Sequence, residues 1–148
     1  MEVKNLFEPA VKQDIIDRIN KLTPASKALW GKMNVEQILA HLQMPIGIAF
    51  GTHQLKPNFM LKLIGPLFKS VLYNEKPYKH GLPTDKSFII TDSRNFETER
   101  NKLIEILNRF NEENMTNDKH PVFGKFTKEQ WSKATWKHLD HHLQQFGV

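Results

Sequence analysis

The stretch Thr127-Lys128-Glu129-Gln130-Trp131-Ser132-Lys133-Ala134-Thr135-Trp136-Lys137-His138-Leu139-Asp140-His141-His142-Leu143-Gln144-Gln145 decides how this chain is read. Thr127 and Gln130 form a Thr-x-x-Gln capping box, in which each side chain satisfies a backbone N–H at a helix start. After it, only Gly147 interrupts a helical pattern, so the spacing predicts a helix running almost to Val148. The inward stripe of that helix is Trp131, Thr135, His138, His142 and Gln145, at steps of four, three, four and three. Two histidines stand where a helical bundle would place leucine.

On one helix face, residues four apart carry Cβ atoms ~5–6 Å apart. His138 and His142 can therefore converge on one ion at the ~2.0–2.1 Å of a metal–imidazole bond. Burying two imidazoles is costly unless their nitrogens find partners, and a metal satisfies one nitrogen on each ring. A pair does not close a site, and His41 is the best third ligand. It lies within Val35-Glu36-Gln37-Ile38-Leu39-Ala40-His41-Leu42, inside an apolar stripe. His141 falls to the side of the pair and is expected to face outward.

Working outward, proline and glycine divide the rest into helical blocks. Pro9 suits the first turn of a helix, and Val11, Ile15, Ile19 and Leu22 follow as one stripe ending at Thr23-Pro24. Asn34 is a good N-cap for a second helix with Val35, Ile38, Leu39, Leu42 and Ile46 on one side, and Pro45 is expected to kink or end it. Gln54–Thr91 reads as irregular, broken by Pro57, Gly65, Pro66, Pro77, Gly81 and Pro83. Within it Phe59, Leu63, Leu67 and Val71 suggest a short helix interrupted near Gly65-Pro66, and Phe88-Ile89-Ile90 a short extended stretch. Ser93 is placed to cap a charged helix carrying Phe96, Leu103, Ile106, Leu107 and Phe110, with Glu97 and Glu99 solvated. Asn114–Phe126 reads as a loop. The fold class is all-α.

A chain of 148 residues, 39% hydrophobic and 25% charged, fits one domain with a real core. It contains no cysteine, which excludes disulfides, thiolate-held metals and thiol catalysis, so any metal must be held by nitrogen and oxygen. The net charge of +5 is mild. Between Gln54 and Ile90 six lysines (Lys56, Lys62, Lys69, Lys76, Lys79, Lys86) stand against Glu75 and Asp85, a local surplus of four positive charges. Such a surplus bears on solubility and weak association, and no nucleic-acid partner is expected. No apolar run reaches the ~20 residues of a membrane span. No membrane partner is expected, and a cytoplasmic location is. The segment Asn58–Ile64, apolar with lysines interspersed, suits a core or dimer contact better than a membrane-surface helix. His53 and His80 read as solvent-exposed, His120 as packed or hydrogen-bonded locally, and Trp30, Trp131 and Trp136 as packing anchors. Neither a GxSxG nor a P-loop sequence is present.

A mid-helix His after Val35-Glu36-Gln37-Ile38-Leu39-Ala40, together with the C-terminal His138-x-x-His141-His142-x-x-Gln145, resembles the DinB/YfiT-like superfamily. The phrase His120-Pro121-Val122-Phe123-Gly124 ahead of Trp131 resembles one of its uncharacterised branches, a domain of unknown function. The resemblance implies a single DinB-like domain over residues 1–148: a four-helix bundle in up-down-down-up order, with a long crossover (residues 54–92) between the second and third bundle helices. It implies a divalent ion, zinc or nickel first, held by His41, His138 and His142, with Gln145 orienting a ligand or bound water. Leu143 and Gln144 stand where the family often has arginine and glycine. With the second and fourth helices antiparallel, His41 sits ~10 Å from Asn34, and His138 and His142 sit ~12 and ~6 Å from Phe146, so the levels agree. Three histidines leave a coordination position open, the pattern of catalytic zinc. The expected function is a metal-dependent enzyme, either an S-transferase using a low-molecular-weight thiol as cosubstrate or a hydrolase acting on a small molecule. A non-catalytic metal-binding or stress-related protein is the alternative. Homodimers are frequent in the family, and Phe59–Val71 offers an interface.

Overall fold

The structure, a computed structural model, describes residues 1–82 and 84–148, so the proline at position 83 counted among the breakers lies outside it. In chain order it holds α1 (Pro9–Asn20), α2 (Val35–Ala49), α3 (Phe59–Phe68), α4 (Phe96–Arg109), β1 (Lys119–His120), β2 (Gly124–Lys125) and α5 (Lys128–Gln145). Short 3-10 turns follow α3 at Lys69–Leu72 and precede α4 at Lys86–Phe88. The fold is helical, and β1 and β2 form only a two-residue antiparallel hairpin in which His120 faces Gly124.

The helix starts follow from local chemistry. Thr127 and Gln130 cap each other's backbone as expected, and Asn34 with Gln37 forms a second such box at the start of α2. The cap of α4 is Asn95, whose side chain accepts from the N–H of Thr98, rather than Ser93. Both residue types cap well, and the two-residue difference puts Phe96 in the first turn, buried.

α2 packs against α4 and α5, and α1 packs against the same two helices. Ile15 and Ile19 of α1, Ile38, Leu39 and Leu42 of α2, Leu103 and Leu107 of α4, and Leu139 and Leu143 of α5 share one core. Burying each such side chain is worth ~1.5–3 kcal/mol. Leu39→Ala, at a site with no exposure, would cost ~2–5 kcal/mol. Pro45 does not end α2, which continues to Ala49. The proline has no N–H to offer the His41 carbonyl one turn back, but Ile46, Ile48 and Ala49 are all buried, and that burial carries the helix through.

Polar ties fix the ends. Arg18 of α1 pairs with Asp140 of α5 at 2.8 Å and also donates to the Val148 carbonyl. The connection from α1 to α2 closes onto the end of α5: the Leu29 N–H donates to the Gln145 carbonyl at 2.8 Å, and the Gln145 side-chain amide donates to the Trp30 carbonyl. Gly31 makes this approach possible. Its φ is +87°, and a Cβ there would run into the Gln145 amide.

The crossover departs furthest from expectation. α3 runs through Gly65-Pro66 without a break, and Phe88 closes a 3-10 turn instead of lying in an extended strand. Only Gly65 of α3 is buried; it lies against the hairpin at Val122, where a Cβ would collide with the Val122 carbonyl. Glu99, read as solvated, is buried: it accepts from Gln43 of α2 at 2.8 Å, with Arg94 at 3.7 Å and Lys102 at 3.5 Å. Among the described residues no helix is long and apolar enough to cross a membrane.

Candidate metal centre

α2 and α5 bring His41, His138 and His142 together. One ring nitrogen from each lies within 4.8 Å of the others. The ring centroids form a nearly equilateral triangle of 5.0, 4.8 and 4.7 Å. His41 is buried, and His138 and His142 are half-buried, so the cluster has an inner wall and an outer side. Of the other histidines, His120 stands furthest from this arrangement in role. It is buried within the hairpin, where its Nδ1 accepts the N–H groups of Val122 and Phe123.

The hydrogen-bond partners fix which nitrogens are free. A carbonyl can only accept, so His41 Nδ1 carries the hydrogen it donates to the Phe88 carbonyl at 2.9 Å. That leaves His41 Nε2 a bare lone pair aimed at His138 Nε2, 3.1 Å away. The same reasoning runs through Gln145. Its amide nitrogen faces the Trp30 carbonyl, so its oxygen faces His142 and accepts from Nδ1–H at 2.7 Å. His142 Nε2 is then also bare. Two imidazoles thus have one nitrogen tied down by an acceptor and the other free, the arrangement that orients histidine ligands.

The spacing suits a metal. Two nitrogens bound to one ion at ~2.0–2.1 Å stand ~3.0–3.4 Å apart at ordinary coordination angles, and His41 and His138 meet that range. Without an ion, His138 Nε2–H must donate to His41 Nε2, and moving that hydrogen to Nδ1 frees the third lone pair. Electrostatics favours the neutral rings that coordination requires. Burial pushes the His41 pKa down against the Phe88 bond, which raises it. Burial, then the neighbouring imidazoles, holds His138 well below 6.5. Burial and His41 bring His142 down to about 3, with the Gln145 bond opposing. The cluster could hold a divalent ion, and it resists three positive charges.

Beside it stands an aromatic rim that the sequence reading did not assemble. Trp30 stacks on His80 with centroids 3.9 Å apart, and His141 lies 5.8 Å from Trp30, 5.5 Å from Tyr78 and 5.0 Å from His142. His141 is therefore half-buried in this rim, not outward-facing, and Trp30 is a half-exposed wall rather than a core anchor. His80 is exposed as expected, but His53 is half-buried, packing on Phe88 at 5.5 Å. Lys137 was also missed: fully buried, it donates to the Val71 and Asn74 carbonyls and to Asn74 Oδ1 at 2.7–2.9 Å. Its ammonium also lies 4.4 Å from the Tyr78 ring centroid. Lys137 thereby clamps the Val71–Asn74 segment to α5. Only the long-range fold reveals these neighbours.

The model of one protein family, described as "Protein of unknown function (DUF1569)", matches residues 6–147, nearly the whole chain. No curated protein and no solved structure matches it.

Proposed function

The chain belongs to DUF1569, a family of proteins of unknown function, and we propose that it is a divalent-metal-dependent enzyme of the DinB-like type. His41, His138 and His142 would hold the ion. The observation that carries this reading is the pair of ring nitrogens 3.1 Å apart on two different helices, one of them kept bare by the Phe88 carbonyl. The third ring nitrogen, from His142, lies within 4.8 Å of both, which a hydrogen bond between two core histidines does not require. The packing of α1 and α2 each against both α4 and α5 supports the four-helix bundle of the DinB-like fold, with residues 54–92 as its crossover.

Bound there, an ion such as zinc or nickel would supply a Lewis acid that activates a coordinated water or thiol at neutral pH. The chain's own residues do the rest. Phe88 and Gln145 hold the tautomers of His41 and His142, burial keeps the rings neutral, and the rim of Trp30, Tyr78, His80 and His141 flanks the approach. Because the chain has no cysteine, a thiol must arrive as a cosubstrate, and S-transfer from a low-molecular-weight thiol to a small electrophile is the reaction we favour over hydrolysis.

Elemental analysis of protein purified without an affinity tag tests the metal. Wild type should carry close to one divalent ion per chain, and His41→Ala and His142→Ala should carry almost none. Thiol consumption in the presence of an electrophile, abolished in His138→Ala, supports the transferase. Stoichiometric metal with hydrolysis instead of transfer replaces it, and stoichiometric metal without turnover of either kind reduces the protein to a metal binder.

A further inference from the structure

α3 is inverted relative to the rest of the molecule. Phe59 is 76% exposed, Leu63 62% and Leu67 79%, and Met60, Phe68 and Val71 are also open to solvent. Gly65 is the one buried residue of the helix. At 100° per residue Phe59, Leu63, Leu67 and Met60 fall on the side opposite Gly65, forming a convex apolar ridge about ten residues long. Contiguous exposed apolar residues of this kind are where partners or membranes bind, whereas scattered single ones need no explanation.

The surroundings of the ridge are cationic. Below it a cavity of about 580 Å³ opens between α3 and the hairpin, lined by Leu55, Lys56, Lys62, Pro66, Lys119 and Val122. Lys56, Lys62 and Lys119 are exposed. The lysine ion pairs among the described residues are made by Lys102 and Lys133, far along the chain. In sequence the crossover also carries Lys76, Lys79 and Lys86 against Glu75 and Asp85, and Asp118 precedes Lys119.

We propose that α3 docks this protein on an anionic lipid bilayer. The apolar ridge enters the boundary between headgroups and acyl chains, and the three-lysine cavity receives an anionic headgroup. A helix that is apolar on one side and flanked by lysines is the pattern of interfacial anchors, and its ten residues are far too short to span. Charge decides between this and a second copy of the chain. A symmetric dimer through α3 would bring two copies of the same lysine-rich surface together, whereas an anionic bilayer neutralises both the ridge's surroundings and the cavity. The inference is independent of the metal, and it reverses the expectation that no membrane partner exists, because that expectation assumed Asn58–Ile64 to be covered.

The test is co-sedimentation of the full chain with vesicles of phosphatidylcholine alone and of phosphatidylcholine mixed equally with phosphatidylserine. The chain should pellet with the anionic vesicles, not with the neutral ones, and added salt should release it. The double variant Leu63→Ser/Leu67→Ser, both at exposed positions, should bind at least ~10-fold more weakly. The triple variant Lys56→Gln/Lys62→Gln/Lys119→Gln should lose ~10-fold or more, and His142→Ala should bind as wild type does. No pelleting with anionic vesicles overturns the proposal, as does binding that neither set of variants changes. A wild-type dimer in analytical ultracentrifugation that the leucine variant splits, with no vesicle binding, assigns the ridge to a second copy and overturns it equally.

Discussion

α5 and α3 break the ordinary burial rule in opposite directions. α5 turns histidine, lysine, threonine, aspartate and glutamine inward, while α3 turns phenylalanine and leucine outward. In α5 the buried charged and amide groups are satisfied, Lys137 by three oxygens, Asp140 by Arg18 and Gln144, and His142 by Gln145, while the buried Trp136 Nε1 has no hydrogen-bond partner. In α3 the ridge of Phe59, Leu63 and Leu67 lies open to solvent, and Gly65 is the buried residue, set against the hairpin. Residues that oppose burial are retained at a stability cost where function requires them, so the first inversion points to chemistry inside and the second to a partner outside.

The largest effect expected from this contrast is acid sensitivity of the metal-free protein. Burial holds His120 at about 4 and, with His41, His142 at about 3, against an ordinary 6.5. The unfolded chain therefore binds more protons than the folded one below pH 6.5, and stability falls as pH drops from there toward 4. His120 alone accounts for about 3 kcal/mol at ~1.36 kcal/mol per pKa unit. Urea melts at pH 7 and pH 4.5 check this, and a flat profile would mean the rings are not enclosed. Next is Lys137→Met, which leaves two backbone carbonyls and one side-chain oxygen without their donor and should cost about 2–3 kcal/mol, read by the same melts.

The sign then changes. His138→Leu replaces a costly buried imidazole with an apolar side chain, and it should raise metal-free stability by about 1 kcal/mol while eliminating metal binding. If His138→Leu destabilises the protein instead, the ring is there for packing, and the polar interior of α5 needs another explanation. The smallest effect is expected on α3. Leu63→Ser/Leu67→Ser should change stability by no more than ~0.5 kcal/mol, although losing two core leucines would cost many times that. A large loss would mean that the ridge packs on the chain after all.

Much of the fold is legible because its signals are local. The capping box at Thr127 and the cap at Asn34, the stripes of α1, α2 and α5, and the four-residue step from His138 to His142 all lie within a few turns of chain. His41 stands out in its own stripe as a candidate third ligand, and the meeting of the three rings follows from matching levels only once the resemblance implies that the two helices run antiparallel. What could not be read is long-range pairing. Glu99 is buried because Gln43 waits on a neighbouring helix, and Lys137 because the carbonyls of Val71 and Asn74 curl over it. The Phe88 carbonyl that orients His41 is a backbone group and carries no side-chain signal at all. Periodicity also finds the apolar stripe of α3 without saying what covers it, which is why the segment was assigned to a core or dimer contact. Pro45 shows a propensity overridden: one lost hydrogen bond weighs less than the burial of Ile46, Ile48 and Ala49 beyond it.

The centre itself is most directly tested by X-ray absorption at the metal edge of zinc-loaded protein. Three imidazole nitrogens at ~2.0–2.1 Å with at least one oxygen donor are predicted, and His142→Ala should lose the bound zinc. A shell of oxygens alone, or one with fewer than three imidazoles, would contradict a centre built from His41, His138 and His142.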